Sequence, residues 1–252
     1  MKPFLVLQLR PEKEASDNEF EAFLVKGGLT EDRTHRIRLD QERLPSLSLD
    51  AYAGVIVGGG PGCVSDPPET KDPVEARIEA ECLALMPEIV ARDVPFMGCC
   101  YGIGILAHHL GAEVSKRQYG EPVGGVDCHL TGAGREDPLL AGLPDRFRAL
   151  VGHKEAVQEL PAGCVHLLTS DPCPFQMIRC GRNVYATQFH PEADGQGFAT
   201  RIRIYKDRGY FPPGTAAALT EEVLAEDIRV PERILRNFVI AYSEEAVATA
   251  SD

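Results

Sequence analysis

Short apolar runs of strand length alternate with helix-period segments through the first half of the chain. Phe4–Leu9 reads as a buried strand. Ser16-Asp17-Asn18-Glu19 matches a capping box and predicts a helix running to about Lys26, stopped by Gly27-Gly28. Thr34–Leu39 and Tyr52–Val57 read as strands, the second ending abruptly in Gly58-Gly59-Gly60-Pro61-Gly62. Asp72 or Pro73 opens a helical stretch, Val74 to Arg92, which Pro87 is expected to break or kink. Pro95–Cys99 is a fourth strand, and Ile103–Leu110 a helix closing at Gly111. This β-α-β-α-β rhythm predicts an α/β fold with a parallel sheet covered on both faces.

The second half changes character. Runs at Gly124–Leu130, Phe147–Val151, Val165–Thr169, Phe175–Cys180 and Val184–Phe189 follow with only turns between them, as expected of antiparallel strands or hairpins attached to that sheet. Phe198–Arg208 and Pro231–Tyr242 are amphipathic helices; Ile234, Leu235, Phe238 and Val239 form one apolar stripe. Residues 243–252 read as a frayed tail. No linker or charge block divides the chain, so residues 1–252 are expected to form a single domain with its core at about 4–242.

Charge and composition narrow the partners. A formal net charge of -12, with acidic residues scattered along 252 positions, leaves no basic stripe for a phosphate backbone, so nucleic acid is not expected as a partner. The apolar run near the N-terminus is too short for a signal peptide or a membrane span, which points to a cytoplasmic protein with no membrane partner. In that compartment the eight cysteines are expected to be free thiols. No C-x-x-C pair occurs, so neither a zinc site nor any other metal is expected. Cys63, Cys82, Cys128, Cys164, Cys173 and Cys180 read as small packing residues.

Gly98-Cys99-Cys100-Tyr101-Gly102 is different, because it joins a buried strand to a helix and is the cysteine form of a G-x-S-x-G nucleophile elbow. Flanking glycines permit a tight turn, and the turn lifts the central thiol above the sheet. The same turn sets Cys100 at a helix N-terminus, where the dipole favours thiolate. The pentapeptide alone fits a Gly-rich connection around a buried cysteine equally well, and Cys99 competes as the reactive thiol, although its place in the pentapeptide points it into the core.

Val184–Phe189 followed by His190-Pro191-Glu192 is a strand ended by a proline, which has no amide hydrogen for the ladder. A cysteine nucleophile needs an imidazole to take its proton and return it to a leaving amine, and a third group to orient that imidazole. His190 and Glu192 supply both types two residues apart. Alternatively they are an exposed pair in a surface turn. His108 and His109 sit in a helix, and His35, His129 and His166 lie on strands without an acidic neighbour, so all are weaker candidates.

Taken in order, Gly58-Gly59-Gly60-Pro61, Pro95 through Gly102, and Gln188-Phe189-His190-Pro191-Glu192 resemble the three motifs of the class I, triad-type glutamine amidotransferases. Gly152-His153-Lys154-Glu155-Ala156-Val157 and Asp137 through Pro144 resemble its stand-alone, GMP-synthetase-glutaminase-like members. The resemblance spans roughly residues 4–242. It implies a flavodoxin-like three-layer domain and a Cys100–His190–Glu192 triad that hydrolyses the side-chain amide of glutamine through a γ-glutamyl thioester. It also implies an oxyanion hole from the amides of Gly60 (or Gly59) and Tyr101, a glutamine pocket involving Gly59, Gly104, Gly152 and His153, and no cofactor. In the family the elbow usually continues to a glutamine that holds substrate; here that position is Gly104, which has no such side chain.

Three functions follow from this reading. The first is a glutaminase supplying ammonia, and with no synthetase segment evident in the sequence any transfer would need a synthetase-type partner protein or a small acceptor entering the site. The second is a γ-glutamyl peptidase or hydrolase whose pocket, opened at Gly104, admits larger γ-glutamyl amides. The third is a non-catalytic member that binds a ligand or partner.

Overall fold

The first strand shows why the sheet is covered on both sides. β1 (Phe4–Gln8) is buried at every position, and its alternate side chains enter two different cores. In the computed structural model, which describes the backbone of residues 1–248 and side chains through residue 243, Phe4 and Val6 pack with Phe23 and Leu24 of α1 (Lys13–Gly27) and Leu235 and Phe238 of α7 (Pro231–Ala248). Leu5 and Leu7 face the other way, onto Ile78 and Met86 of α2 (Pro73–Ala91) and Ile103 and Leu106 of α3 (Tyr101–His109). Each such fully buried side chain contributes about 1.5–3 kcal/mol of transfer free energy.

β1 pairs in parallel with β2 (Thr34–Arg38) and β3 (Gly54–Val57), and β3 in turn with β4 (Phe96–Cys99). A minor ribbon joins β5 (Val114–Ser115) to β8 (Ala156–Val157). The remaining strands are β6 (Glu121–Leu130), β7 (Arg146–His153), β9 (Cys164–Thr169), β10 (Met177–Cys180) and β11 (Val184–Thr187). They complete a nine-stranded sheet of order β2-β1-β3-β4-β11-β10-β9-β6-β7. Strands β10, β9, β6 and β7 are antiparallel additions, as expected from the second half. β11 is not, because it returns parallel to β4, with Thr187 opposite Cys99. That placement puts the end of β11 beside the end of β4.

Helix boundaries bring further corrections. α1 starts at Lys13, a turn before the expected capping box, and Glu12 precedes it without a side-chain cap. Ser16 and Glu19 are therefore inside the helix and buried. Ser16 Oγ donates to Gln8 Oε1 at 2.9 Å, and Glu19 turns inward to Arg10. A guanidinium drawn into the core requires an anion, and that demand outweighs the capping pattern. The helix does end at the expected glycines, with Gly28 in the left-handed region at φ 70°. Asp72 caps α2 through the amide of Val74, and α2 runs unbroken through Pro87, which lies on its exposed side. The carbonyl freed by that proline's missing hydrogen bond can thus meet water.

α4 (Gly132–Glu136) lies between β6 and β7. α5 (Gly195–Tyr205) begins and ends about a turn before the expected Phe198–Arg208, capped by Asp194 on the amide of Gly197. α6 (Ala216–Ala225) follows without having been expected; its one buried side chain, Val223, packs with Phe198 and Ile202 of α5 against Val123 and Leu150 of the sheet. α7 continues to Ala248, past the expected end at Tyr242; residues 249–252, the rest of the expected tail, lie outside the described residues.

The turn between β4 and α3 brings two backbone segments close together, and its two glycines are not equivalent. A Cβ at Gly98 would lie 2.9 Å from the carbonyl carbon of Gly102, whereas one at Gly102 would have nothing nearer than 3.6 Å. Gly98→Ala is expected to cost about 1–3 kcal/mol of stability in urea unfolding, an overpacking penalty against rigid backbone. Gly102→Ala is expected to be neutral, or stabilising by up to ~1 kcal/mol through helix propensity. Equal effects would contradict this account of the turn.

Candidate active site

Because β1, β3, β4 and β11 run parallel, their C-terminal ends lie on one edge of the sheet. Arg10 follows β1, the glycine loop Gly58–Gly62 follows β3, Cys100 follows β4 and His190 follows β11. Parallel α/β sheets bind ligands at this edge.

Cys100 has φ 54° and ψ -91°, a backbone conformation that costs a non-glycine residue on the order of 1–3 kcal/mol. It is held by its own amide, which donates to Thr187 O at 2.8 Å and so ties the elbow to β11. Cys99 is fully buried in the core beneath it, whereas Cys100 is half-buried and lines the cavities described below. The remaining cysteines are free thiols.

His190 Nδ1 lies 2.9 Å from Glu192 Oε1, and the ring meets Phe198 of α5 edge-on. Arg201 Nη2 donates to the same carboxylate oxygen at 2.8 Å. Next to this pair, Arg10 Nε donates to Glu19 Oε1 at 2.8 Å, and that oxygen also accepts from the amide of Gly59 at 3.1 Å. All five groups are buried.

Their charges set the protonation states. Burial alone would raise Glu192, but His190 and Arg201 more than offset it and hold the carboxyl well below its usual range. Burial lowers His190; Glu192 opposes this, while Arg201 and Arg10 add to it. Burial pushes the Cys100 thiol up to about 12, Arg10 and Arg201 pulling down and Glu192 and Glu155 pushing up. The resting site at neutral pH is therefore a thiol beside a neutral imidazole. The helix N-terminus was expected to favour thiolate; burial acts against it and is the largest influence on this thiol.

Two cavities meet at Cys100. One, of about 350 Å³, is bounded by Gly60, Tyr101, Gly104, Gly152, Glu155 and Val157. The other, of about 420 Å³, contains His190, Arg10, Arg201, Phe198, Tyr205 and Phe211. Tyr210 lines both and places its hydroxyl 3.4 Å from Gly60 O, while Lys154 Nζ stands 4.4 Å from its ring centroid.

The resemblance-based residues separate on this geometry. Gly60, Gly104 and Gly152 line the cavities. Tyr101 opens α3, so no earlier turn of the helix accepts its amide hydrogen; its hydroxyl donates to Glu79 Oε2 at 2.6 Å. The Gly59 amide is already committed to Glu19. A Cβ there would meet His190 Cε1 at 2.6 Å and Arg10 Nη2 at 2.7 Å, so this glycine lets the charged groups close up. His153 reaches the cavity edge, but both ring nitrogens are engaged, Nε2 with Glu121 at 2.7 Å and Nδ1 with Glu155 O at 2.8 Å. Beside Gly104 the volume is taken by Glu155, whose Oε1 would lie 3.2 Å from a Cβ at that position. Glu155 accepts from the amides of Val64 and Ser65 at 2.9 Å each.

Glu19, His190 and Glu192 bring ligand-type atoms within 4.8 Å of one another, as do Glu121, His153 and Cys173. In the first group each carboxylate is already paired with an arginine, and a divalent cation would have to displace that partner. In the second, Glu121 Oε2 already accepts from Gln176 Nε2 and lies 2.7 Å from His153 Nε2.

Arg10, Glu19 and Arg201 were not expected at the site, and Glu155 was expected only as one residue of the segment 152–157 that resembles a pocket wall. A signal existed for Arg201, since Phe198, Arg201, Ile202 and Tyr205 share one helical face and a charge on an apolar stripe marks a buried ion. Arg201 Nε and Nη1 are buried without a partner. An unpaired buried donor costs about 1–3 kcal/mol, more when charged.

The protonation states lead to a direct test. Because the thiol is held up to about 12, the thiolate fraction rises tenfold per pH unit through the accessible range. Alkylation of Cys100 by iodoacetamide, followed by peptide mass spectrometry, is expected to accelerate steadily from pH 7 to pH 10. A fast rate independent of pH between 5 and 8 would show a thiolate–imidazolium pair instead.

Comparison with known proteins places this geometry. GMP synthase [glutamine-hydrolyzing] of Thermosipho melanesiensis is 32% identical over 153 residues, covering 59% of this chain and 26% of that protein. The enzyme of the same name from Streptococcus pneumoniae is 32% identical over 146 residues, 55% of this chain and 24% of its own. The chain thus spans about a quarter of the length of these curated relatives. A glutamine amidotransferase from Thermotoga maritima superposes with a TM-score of 0.72 at 22% identity over 97% of this chain and 99% of that one. A glutamine amido transferase from Methylobacillus flagellatus superposes with a TM-score of 0.72 at 21% identity, over 97% of this chain and 95% of that one. These superpositions establish the flavodoxin-like fold. The family model for glutamine amidotransferase class-I matches residues 16–203, most of the chain, and the protein belongs to that family.

Proposed function

We propose that the protein releases ammonia from glutamine through a γ-glutamyl thioester on Cys100, with His190 as general base and acid and Glu192 as the group that orients it. One observation carries this reading. A strained Cys100 shares a cavity with His190, whose far nitrogen is already held by the ionised Glu192 at 2.9 Å.

With Nδ1–H donating to the carboxylate, Nε2 is the free base. It takes the thiol proton as Sγ attacks the amide carbon, and the charge developing on oxygen faces the amides of Tyr101 and Gly60. Such donors contribute about 2.7–4 kcal/mol each to the transition state in measured cases. The C–N bond then breaks as His190 returns the proton to nitrogen, and ammonia leaves. Water, deprotonated by the same imidazole, hydrolyses the thioester to glutamate and restores the thiol. Arg201 keeps Glu192 charged throughout, so the imidazolium formed in each half-reaction has its counter-ion.

The smaller cavity is assigned to the glutamyl portion. Glu155 stands where the family's usual glutamine would have reached from position 104, and its carboxylate supplies an acceptor for the substrate's α-ammonium group. Gly104 and Gly152 provide the space, and the His153 ring supports the wall through its contact with Glu155 O. The curated relatives' names point to ammonia being passed to a synthetase, and for this chain such a synthetase-type protein is the proposed partner.

Ammonia release from glutamine by the purified protein tests the chemistry. Cys100→Ala is expected to lower turnover by about 10⁴-fold or more, the scale seen when a triad member is removed. Cys99→Ala, a change in the core, is expected to retain turnover within a few-fold in the folded fraction. Undiminished release by Cys100→Ala would sink the assignment, and loss only in Cys99→Ala would move the nucleophile by one residue.

A further inference from the structure

The second cavity has a lining that glutamine hydrolysis does not call for. With the glutamyl portion on the Gly104–Glu155 side, the leaving nitrogen points toward His190 and into the chamber of about 420 Å³. Ammonia alone does not need such a lining. Phe198, Tyr205, Tyr210 and Phe211 give it an aromatic wall, and two arginines, Arg10 and Arg201, are among its lining residues.

Arg201 is the informative residue. It is 5% exposed, and only Nη2 is matched, by Glu192. Nε and Nη1 lie buried with no acceptor. Arg10, by contrast, is engaged through Nε with Glu19 and sits over the ring of Tyr205 at 5.6 Å. Cations do not help ammonia pass, and they repel ammonium. An unmatched guanidinium edge fits a planar anion carried by something larger, and a carboxylate suits that fork best.

We propose that this chamber is a leaving-group subsite for an amine that bears a carboxylate and an apolar body, which makes γ-glutamyl-amino acids substrates of the same nucleophile. The proposal rests on Cys100 as the acyl acceptor, as above. Sγ attacks the γ-carbonyl and the C–N bond breaks. The thiol proton, carried by His190, goes to the departing nitrogen, and the free amino acid leaves with its carboxylate released from Arg201. Water then converts the thioester to glutamate and regenerates the thiol. Arg201 is a specificity residue in this scheme, and the aromatic wall selects the body of the leaving amino acid.

The test compares two amides that differ only in that carboxylate, γ-glutamyl-L-phenylalanine and γ-glutamyl-phenethylamide, with glutamine as a third substrate. For the wild-type protein, kcat/KM is expected to be at least tenfold higher for the carboxylate-bearing amide. Arg201→Lys is expected to bring the two amides within about threefold of each other, mainly through KM for the first. Equal kcat/KM in the wild type, or a preference unchanged in Arg201→Lys, overturns the subsite. Binding to folded Cys100→Ala protein by calorimetry decides the matter independently of turnover and of how Arg201→Lys folds. Tighter binding of the carboxylate-bearing amide by tenfold or more supports the subsite, and equal or undetectable binding of both overturns it. Glutamine turnover that needs Cys100, without any preference between the two amides, rejects the subsite alone. Activity on all three substrates that survives Cys100→Ala rejects the nucleophile and the subsite together.

Discussion

The backbone of Cys100 is the constraint on which the site depends. A non-glycine residue at φ 54° persists only because its surroundings over-determine it. Here the amide is fastened to Thr187 on the neighbouring strand, and Gly98 lets α3 begin against β4 with no side chain between them. The same hydrogen bond that fixes the elbow therefore fixes its distance from the strand that carries His190. Cys100 and His190 come from segments about ninety residues apart, yet their relative position is set by one step of a parallel sheet.

Around that frame the protein buries two ion pairs, Arg10–Glu19 and Arg201–Glu192. Buried pairs seldom add net stability, since desolvation consumes most of the attraction. Their worth here lies in what they hold. Glu19 anchors the glycine loop through the Gly59 amide, and Glu192 orients His190. The two arginines also draw the Cys100 thiol down against a burial that dominates it, and they help keep the imidazole neutral. The outcome is a thiol and an imidazole that are both held toward their neutral forms.

Much of this was legible in the sequence. The parallel strands announced themselves because burial on both faces makes them continuous apolar runs, and the two glycine-bounded motifs marked where β3 and β4 end. The order and direction of β11 were not legible, since a short apolar run does not state its neighbour; only the sheet shows that it returns beside β4. The capping box at Ser16 misled because its residues had a stronger use, with Glu19 required by a buried guanidinium. α6 gave no signal because it buries only Val223. Arg10 and Arg201 were missed for one shared reason: a charged side chain reads as surface until its partners are known. The absent glutamine at position 104 was visible, but not that the Glu155 carboxylate packs beside that position.

The central claim is that acyl transfer passes through Cys100. The most direct measurement is an acid quench of the protein while it turns over glutamine, with peptide mass spectrometry of the segment around the elbow in a Cys99→Ala background. The account predicts a γ-glutamyl adduct on the Cys100 sulfur that disappears when glutamine is exhausted. Ammonia release with Cys100 unmodified, or an adduct on any other residue, would contradict it.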